Sequence, residues 1–329
     1  MGAIFPLNSQ IRPVNPVLQS RLRGFFNADD SYIAEDVFPT LSNVAKTGTI
    51  MDIALASGFG DISDSLVRAA KSRYHRSLGP QLGTATWNCE EYGDEAQIDL
   101  QQLEDADIPL DLEALESKVA IENVRIWQER RAADLLFNTT TFSNNVTLAG
   151  ATQFSDPNSD PIGVIDTAVN TVFGLIGKDP NTVIVGRQPW RTMLKSASFL
   201  SFRPSNEDRN MLTKEQLRGM LKGYFGVEHL HIGTAQRNSA ALGQTVVLAP
   251  IWGDMIWIGY MDYGNPGVAI NDKEVKVDAS AALRFLQTDL VSEEYEEPQT
   301  RSKVQRHRHI MDEVVVSATS AYIVNDVTA

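Results

Sequence analysis

The longest helical pattern of the chain runs from Asp111 to Asn138, and apolar residues occupy two opposite sides of it. One stripe consists of Leu112, Leu115, Val119, Ile126, Ala133 and Phe137, and the other consists of Ile121, Val124, Ala132 and Leu135. A surface helix of a globular protein normally has one apolar stripe. We therefore predict that this helix is covered on both sides, by its own sheet on one side and by a loop or arm of the same chain or of a neighbouring copy on the other.

The segments before this helix contain too few large apolar residues for a core of their own. The first thirty residues include Pro6, Pro13 and Pro16, which predicts an extended arm. The next segment, Ser31–Val44, contains Pro39 and predicts an extended edge piece. Residues 46–100 predict a long excursion of two strands and a tip, and loops of this length are usually functional or bound to a partner.

The second half of the chain has the pattern of a compact α/β region followed by strands. A linker rich in Asn, Thr, Ser and Pro covers Asn138–Pro161. Beyond it, Asn181–Gly186 predicts a buried strand, and Thr213 with Gln216 predicts a capping box at a helix start. From residue 280 onward, alternating polar and apolar positions predict antiparallel strands. The fold class is therefore α+β.

Charge and cysteine content narrow the classes of function. The chain has 42 acidic and 29 basic residues, which gives a formal net charge of −13. Such a chain repels phosphate backbones and anionic membranes, so direct reading of nucleic acid is disfavoured. The single cysteine, Cys89, excludes an internal disulfide and suits a reducing compartment. No window approaches about 20 continuous apolar residues, so we expect a soluble protein that is made inside the cell and has no membrane partner.

Two His-x-His pairs, His229 with His231 and His307 with His309, are the candidate metal ligands. On a strand both imidazoles of a pair share one face. Neither pair has a third ligand at a characteristic spacing, and cations surround the second pair. We therefore favour a solvated or interface strand face for each pair and predict no cofactor. A metal-dependent enzyme that uses His229 and His231 remains the alternative from another class.

The charged runs predict ion pairs rather than acid–base catalysis. An acidic run is followed directly by a basic cluster, and further carboxylates stand at Glu90 and Glu91. The run consists of Glu293, Glu294, Glu296 and Glu297, and the cluster consists of Arg301, Lys303, Arg306 and Arg308. Such blocks pair either within one chain or head to tail between copies. The aromatic segment with Trp252 and Trp257 predicts core, with an interface tip as the alternative.

Three segments of the chain carry a resemblance to a known family. They are "SYIAEDVFPTLSNV", the long stretch from "RYHRSLGPQLGTATWNCEEYGDEAQIDL" to "LESKVAIENVRIWQERRAADLLFN", and the terminal "VQRHRHIMDEVVVSATSAYIVNDV". Their patterns and their order resemble the major capsid proteins of tailed double-stranded DNA phages, which have the Hong Kong 97-like fold. The same fold forms the shells of encapsulin-like nanocompartments with a protein cargo, and this is the alternative within the architecture.

The resemblance implies a division of the chain and a structural, non-enzymatic function. Residues 1–45 correspond to an N-terminal arm, and residues 46–100 to an extended β-hairpin loop. Residues 101–161 and 280–329 form a peripheral domain with a spine helix at 111–138, and residues 162–279 form an α/β axial domain. Copies would assemble as hexamers and pentamers into an icosahedral shell around phage double-stranded DNA.

The resemblance also implies partners and contacts between copies. The expected partners are the chain itself, a portal, a separate scaffolding or decoration protein, and packaged DNA without sequence-specific contacts. The expected location is the virion, after assembly in the host bacterial cytoplasm. The candidate inter-subunit contact residues are Lys46, Arg68, Lys71, Arg76, Trp87, Glu90, Glu91, Glu294, Glu297, Arg301, Arg306 and Arg308.

Overall fold

A computed structural model describes the greater part of the chain. The described residues are 27–53, 67–68, 70, 73–74, 82–101, 112–201, 212–241, 243–264 and 280–329. Most of the predicted arm, the predicted helix start at Asp111, and the candidate contacts Lys71 and Arg76 lie outside these residues.

The described residues form two larger sheets, two small hairpins and several helices. The strands are β1 (Thr40–Ser42), β2 (Thr47–Ile53), β3 (Leu82–Asn88), β4 (Glu90–Asp99), β5 (Asn145–Thr147), β6 (Thr182–Gly186), β7 (His229–Gly233), β8 (Gln236–Asn238), β9 (Leu248–Pro250), β10 (Ile256–Gly259), β11 (Ala282–Glu297), β12 (Ser302–Val315) and β13 (Ala321–Asn325). The helices are α1 (Ala34–Val37), α2 (Leu112–Leu136), α3 (Pro161–Ile176), α4 (Arg187–Met193), α5 (Ala197–Leu200) and α6 (Lys214–Phe225).

The first larger sheet has the strand order β1-β11-β12-β4. β1 is parallel to β11, whereas β11, β12 and β4 are antiparallel neighbours. β2 and β3 pair outside this sheet as the two legs of a hairpin, from Thr47 opposite Asn88 to Ile53 opposite Leu82. The two predicted strands of the excursion are thus confirmed. The sequence did not separate β4 from the excursion, because its outer face is exposed and as polar as the loop before it.

The second larger sheet has the order β5-β13-β10-β6-β7. Alternate residues of its strands point to opposite faces. Val183, Val185 and Ile258 belong to a core shared with α3, α4, α5 and α6. The intervening residues belong to a second core with the end of α2; they include Ile184, Trp257 and Ile323. Trp252 and Trp257 are fully buried, so the prediction that the aromatic segment is core is confirmed.

Helix ends in this region follow the local sequence. Thr213 and Gln216 form the predicted capping box at the start of α6, which satisfies two backbone N–H groups that the helix leaves open. α6 ends at Gly226 with φ 72°, a left-handed conformation that glycine adopts without steric cost. The predicted start of α6 is therefore confirmed.

The prediction of an extended edge piece at Ser31–Val44 is wrong in its first half. Residues 34–37 form α1, and only Thr40–Ser42 form an edge strand. A helical turn brings Ile33, Ala34 and Val37 to one side, where they are buried in the core at the end of α2. An extended segment would have turned Ala34 and Val37 to opposite faces. Tertiary packing therefore overrides the extended preference.

α2 spans Leu112–Leu136, close to the predicted bounds. Its buried face, which includes Ala120, Ile121, Val124 and Gln128, packs on β4 and β12. Residues 27–38 of the same chain cover part of another side through Tyr32 and α1. Leu115, Val119 and Trp127 remain exposed in the single chain. The prediction of covering on two sides is thus met within the chain only near the end of the helix.

None of the helices among the described residues has the length and apolar character needed to cross a membrane.

Candidate subunit interfaces

The exposed side of α2 borders a shallow groove with an acidic rim. The groove has a volume of about 360 Å³ and is lined by Glu91, Tyr92, Gly93, Asp94, Asn123, Val124 and Trp127. Tyr92 packs on Trp127 with the ring centroids 4.6 Å apart. Asn123 donates a hydrogen bond to Asp94 over 2.8 Å and fixes the wall opposite the aromatic pair. Arg131 of the same chain already lies over the Tyr92 ring at 4.5 Å, so the groove offers its two carboxylates and the exposed Trp127 to a basic, partly apolar segment.

The acidic run and the basic cluster pair within one chain. Arg308 contacts Glu293 over 2.7 Å and Glu91 over 3.4 Å. Arg306 contacts Glu95 on β4, and Lys303 contacts both Glu294 at 3.1 Å and Glu113 on α2. The hydrogen bond from Arg308 lowers the pKa of Glu293 below its usual value. Of the two predicted arrangements, pairing within one chain is therefore the one that the structure shows. These ion pairs connect β4, β11 and β12.

The other candidate contact residues that the structure describes lie in different surroundings. Trp87 stacks on Phe285 with the ring centroids 4.4 Å apart, and its indole N–H donates to the Ala45 carbonyl over 3.0 Å. Trp87 thus anchors the β2–β3 hairpin to its own sheet. Lys46 is exposed at the start of β2, and Arg68 lies over the ring of Tyr74 at 4.8 Å.

Three further candidates lie along the edge and turn of the first sheet. Glu90 accepts a hydrogen bond from Tyr92 over 3.0 Å, and Glu297 accepts one from Thr300 over 2.9 Å. Arg301 is exposed in the turn between β11 and β12 with φ 48°.

The first histidine pair frames a tyrosine. The ring of His229 lies 4.2 Å from that of Tyr263, and His231 lies 6.3 Å from it. The Tyr263 hydroxyl donates to the Val37 carbonyl over 2.8 Å. Burial lowers the pKa of His231 to about 4. Within the described residues, no group of three His, Cys, Asp or Glu side chains is arranged to hold a metal ion.

The second histidine pair is buried, so the prediction of a solvated or interface face for it is wrong. His307 lies between the Ser117 and Ser292 hydroxyls, each 2.8 Å from a ring nitrogen. His309 is also buried, on the same face of β12 under α2. Burial lowers the pKa of each histidine to about 4, so both are neutral at pH 7. Arg306 and Arg308 alternate with the histidines and point to the opposite face of the strand, whereas Lys303 shares the face of His307 and reaches Glu113 on α2.

Glu129 is a buried carboxylate that the sequence analysis did not single out. Its Oε1 accepts hydrogen bonds from the backbone N–H groups of Ile33 and Ala34, each over 2.6 Å. Its Oε2 accepts one from the indole of Trp252. Burial raises the pKa of Glu129 to about 7. One side chain of α2 thus joins the segment before α1 to the segment before β10. The only sequence signal is a charged residue inside a buried stripe.

Comparison with known proteins shows which proteins this chain is similar to in sequence. No family model matches the chain. The major capsid protein of Burkholderia phage BcepMu is 27% identical over 252 residues, which cover 73% of this chain and 77% of that protein. The major capsid protein of Pseudomonas phage JBD67 is 23% identical over 253 residues, which cover 76% and 78%. The chain is a homologue of phage major capsid proteins.

Solved structures of phage and capsid proteins have the same fold as this chain. A phage-related protein from Bordetella bronchiseptica matches with a TM-score of 0.67 at 19% identity, over 97% of this chain and 98% of that one. The capsid of a native GTA particle matches with a TM-score of 0.56 at 11% identity, over 92% and 91%. A virus-like particle from Pyrococcus furiosus matches with a TM-score of 0.54 at 8% identity, over 94% and 96%. The mixed α+β fold is therefore that of capsid structures.

The buried histidines of the capsid-protein homologue predict acid lability. A pKa of about 4 in the folded chain, against 6.5 for a free imidazole, means that the unfolded chain binds more protons below about pH 6.5. The charged group near His307 is Asp94. The charged groups near His309 are Arg284, Arg131 and Asp289. At pH 5 each histidine is expected to cost about 2 kcal/mol of unfolding free energy relative to pH 7.5.

The measurement is urea unfolding of the wild type and of His309→Met at both pH values. The substitution should remove about one third of the loss that the three buried histidines His231, His307 and His309 cause between the two pH values. Methionine is chosen because the Nε2 atom of His309 has no hydrogen-bond partner that the substitution would forfeit. Equal pH dependence of the two chains would show that His309 is not the titrating group.

Proposed function

We propose that the chain is the major capsid protein of a tailed phage. Copies assemble as hexamers and pentamers into an icosahedral shell that encloses double-stranded DNA, and the chain has no catalytic role. The observation that carries the proposal is the similarity to two proteins named major capsid protein, over about three quarters of this chain and of each of them. The match in fold to an assembled capsid supports it.

The contact between neighbouring copies is proposed to involve the β2–β3 hairpin. Residues 67–76, which stand between the two strands in the sequence, read VRAAKSRYHR, with four cations and no carboxylate; the cations are Arg68, Lys71, Arg73 and Arg76. The groove beside α2 has the opposite charge through Glu91 and Asp94 and an aromatic wall through Trp127. We propose that the tip of one copy lies in this groove of the next. Leu115 and Val119 would be covered in the same contact, which completes the covering of α2.

The remaining candidate residues extend this proposal along the edge of the first sheet. Arg301 and Lys46 are exposed and are proposed to contact a neighbouring copy. Glu91 would then contribute both to its pair with Arg308 inside the chain and to the rim of the groove. Exposed ion pairs contribute little one at a time, so the shell would depend on many weak contacts that are made together.

The division into parts follows the same proposal. Residues 1–45 act as the arm and residues 46–100 as the extended loop. The spine helix lies in the peripheral domain, and residues 162–279 form the axial domain. The proposed partners are a portal and a separate scaffolding or decoration protein. We also propose that the DNA is enclosed without sequence-specific contacts, because a chain with a net charge of −13 repels phosphate groups. The proposed location is the virion, after assembly in the bacterial cytoplasm.

The test is negative-stain electron microscopy of the recombinant chain, with light scattering on the same sample. We expect closed shells or capsomer rings. A chain that remains monomeric at high concentration, also when it is co-expressed with the scaffolding protein of a homologous phage, would contradict the proposal.

An encapsulin-like nanocompartment shell is the second candidate. A virus-like particle from Pyrococcus furiosus shares the fold, and a shell with this fold is compatible with a content other than phage DNA. Mass spectrometry and nuclease digestion of particles purified from the native source separate the two candidates. Protected double-stranded DNA identifies a phage capsid, and a single abundant cargo protein identifies a nanocompartment.

A further inference from the structure

An uncharged apolar tip projects from the hairpin of β8 and β9. Val246, Val247 and Leu248 are 63%, 55% and 63% exposed. The sequence from Asn238 to Pro250 contains no charged residue, although 22% of the chain is charged. Three consecutive exposed aliphatic residues without a neighbouring charge have the composition of the centre of a protein interface.

The tip is held in place by its own hydrogen bonds. The side-chain oxygen of Asn238 accepts from the backbone N–H groups of Ala240 and Val247, over 3.0 and 3.1 Å. The N–H of Ser239 donates to the Val247 carbonyl over 2.8 Å. The two strands below are paired from Gln236 opposite Pro250 to Asn238 opposite Leu248. A tip that is already ordered loses little conformational entropy when it binds.

A small apolar hole lies elsewhere on the same region of the chain. It has a volume of about 190 Å³ between the start of α3, α5 and the last turn of α6. Its lining consists of Ile162, Phe199, Met220, Gly223, Tyr224 and Phe225. A Cβ atom at Gly223 would meet nothing within 4 Å, so the hole is open above this glycine. Tyr224, 60% exposed, stands at its rim.

We propose that Val247 and Leu248 of one copy insert into the Gly223 hole of the next copy. The proposal rests on the proposed function, since it assumes that copies of this chain assemble. Among the described residues, Val247 and Leu248 are exposed and the hole is an apolar space, so one copy offers both halves of an apolar contact. Because the halves are different surfaces, the contact is heterologous, and a heterologous contact repeated around a rotation axis forms a ring when the rotation closes.

Cysteine cross-linking tests the contact directly. The native Cys89 is fully buried, and burial raises the pKa of its thiol, so it contributes little background. Leu248→Cys, Gly223→Cys and the double variant are treated with a short bis-maleimide, as shells or as free chains at high concentration. We expect cross-linked ladders on denaturing gels for the double variant, and heterodimers when the two single variants are mixed.

Two results would overturn the inference. One is cross-linking of Leu248→Cys alone, which would place tip against tip. The other is the absence of a link between positions 248 and 223. Electron microscopy of the same samples reports on the proposed function separately: shells without this link refute only the tip-in-hole contact, whereas the absence of any assembly of the wild-type chain refutes the capsid proposal.

A substitution that fills the hole provides a second test. Gly223→Leu places a side chain into the open space and is expected to leave the fold intact, because a helical glycine is replaced by a good helix former. The yield of assembled particles should fall by about tenfold or more, with an unchanged or higher Tm. Gly219→Leu is the matched control, since it lies one turn earlier on α6, also has free space for a Cβ, and does not line the hole. Equal yields for the two variants would contradict the proposal.

Discussion

Replacing Glu129 with leucine is expected to lower the unfolding free energy by about 3 kcal/mol at pH 7. The substitution leaves two backbone N–H groups and the Trp252 indole N–H buried without an acceptor. Each orphaned donor costs about 1–3 kcal/mol. Burial raises the pKa of Glu129 to about 7, which means that keeping this carboxylate charged inside the protein is unfavourable. Leucine removes this unfavourable contribution, which offsets the loss by up to about 3 kcal/mol. The orphaned donors outweigh the relief, so the net effect is a loss.

Urea unfolding followed by tryptophan fluorescence measures the loss. Glu116→Leu on the same helix is the control, and we expect it to change the unfolding free energy by less than about 0.5 kcal/mol. A loss for Glu129→Leu no larger than that of the control would mean that the three hydrogen bonds contribute nothing to stability.

The pH dependence of the Glu129 effect has a defined sign. A carboxyl whose pKa is raised to about 7 when folded binds its proton more tightly in the folded chain, so stability increases as pH falls from 7 towards 4.5. The buried histidines act in the opposite direction below about pH 6.5. Comparing wild type with Glu129→Gln cancels the histidine contribution, and the difference between pH 8 and pH 5.5 should be about 2 kcal/mol. Glu35 is the charged neighbour that raises the pKa of Glu129 further.

Removing the hairpin tip is expected to abolish shells without unfolding the chain. Ile53 and Leu82 are paired directly across the two strands, so residues 54–81 can be replaced by an Asn-Gly turn. The shortened hairpin keeps the stacking of Trp87 on Phe285 that anchors it to the sheet. What is lost is the basic segment that we propose binds in the acidic groove of the neighbouring copy.

Circular dichroism and thermal unfolding report whether the shortened chain is folded, and electron microscopy reports whether it assembles. We expect a Tm close to that of the wild type and no closed shells. Exchanging Trp127 for glutamate in the full-length chain should have the same effect on assembly, since it adds a charge to the aromatic wall. Normal shells from the shortened chain would refute the proposed role of the loop.

Regular elements with many local signals could be predicted from the sequence. The spine-like helix was found from its two apolar stripes, and the start of α6 from Thr213 and Gln216. The β2–β3 hairpin and the buried tryptophans were also predicted correctly. In each case the signal is a pattern of residues close together in the sequence: the apolar stripes, the capping pair, the alternation within each strand, or the run of aromatic residues.

Features that depend on distant neighbours could not be predicted. α1 is too short to be stable on its own and forms because Ile33, Ala34 and Val37 are buried against α2. The i, i+2 spacing of His307 and His309 puts both on one face but does not say whether a helix covers that face. Glu129 is informative only through donors that lie 95 and 123 residues away along the chain.

The position of β13 has a consequence for biosynthesis. This strand lies between β5 and β10, and it supplies Ile323 and Val324 to the two cores on either side of the sheet. β5 therefore has no strand to pair with in this sheet until the ribosome has translated past residue 325. A chain truncated before Ala321 by a premature stop or by proteolysis exposes both cores and leaves β10 with an open edge. We expect such a product to be degraded by cellular proteases rather than to accumulate as a folded subunit.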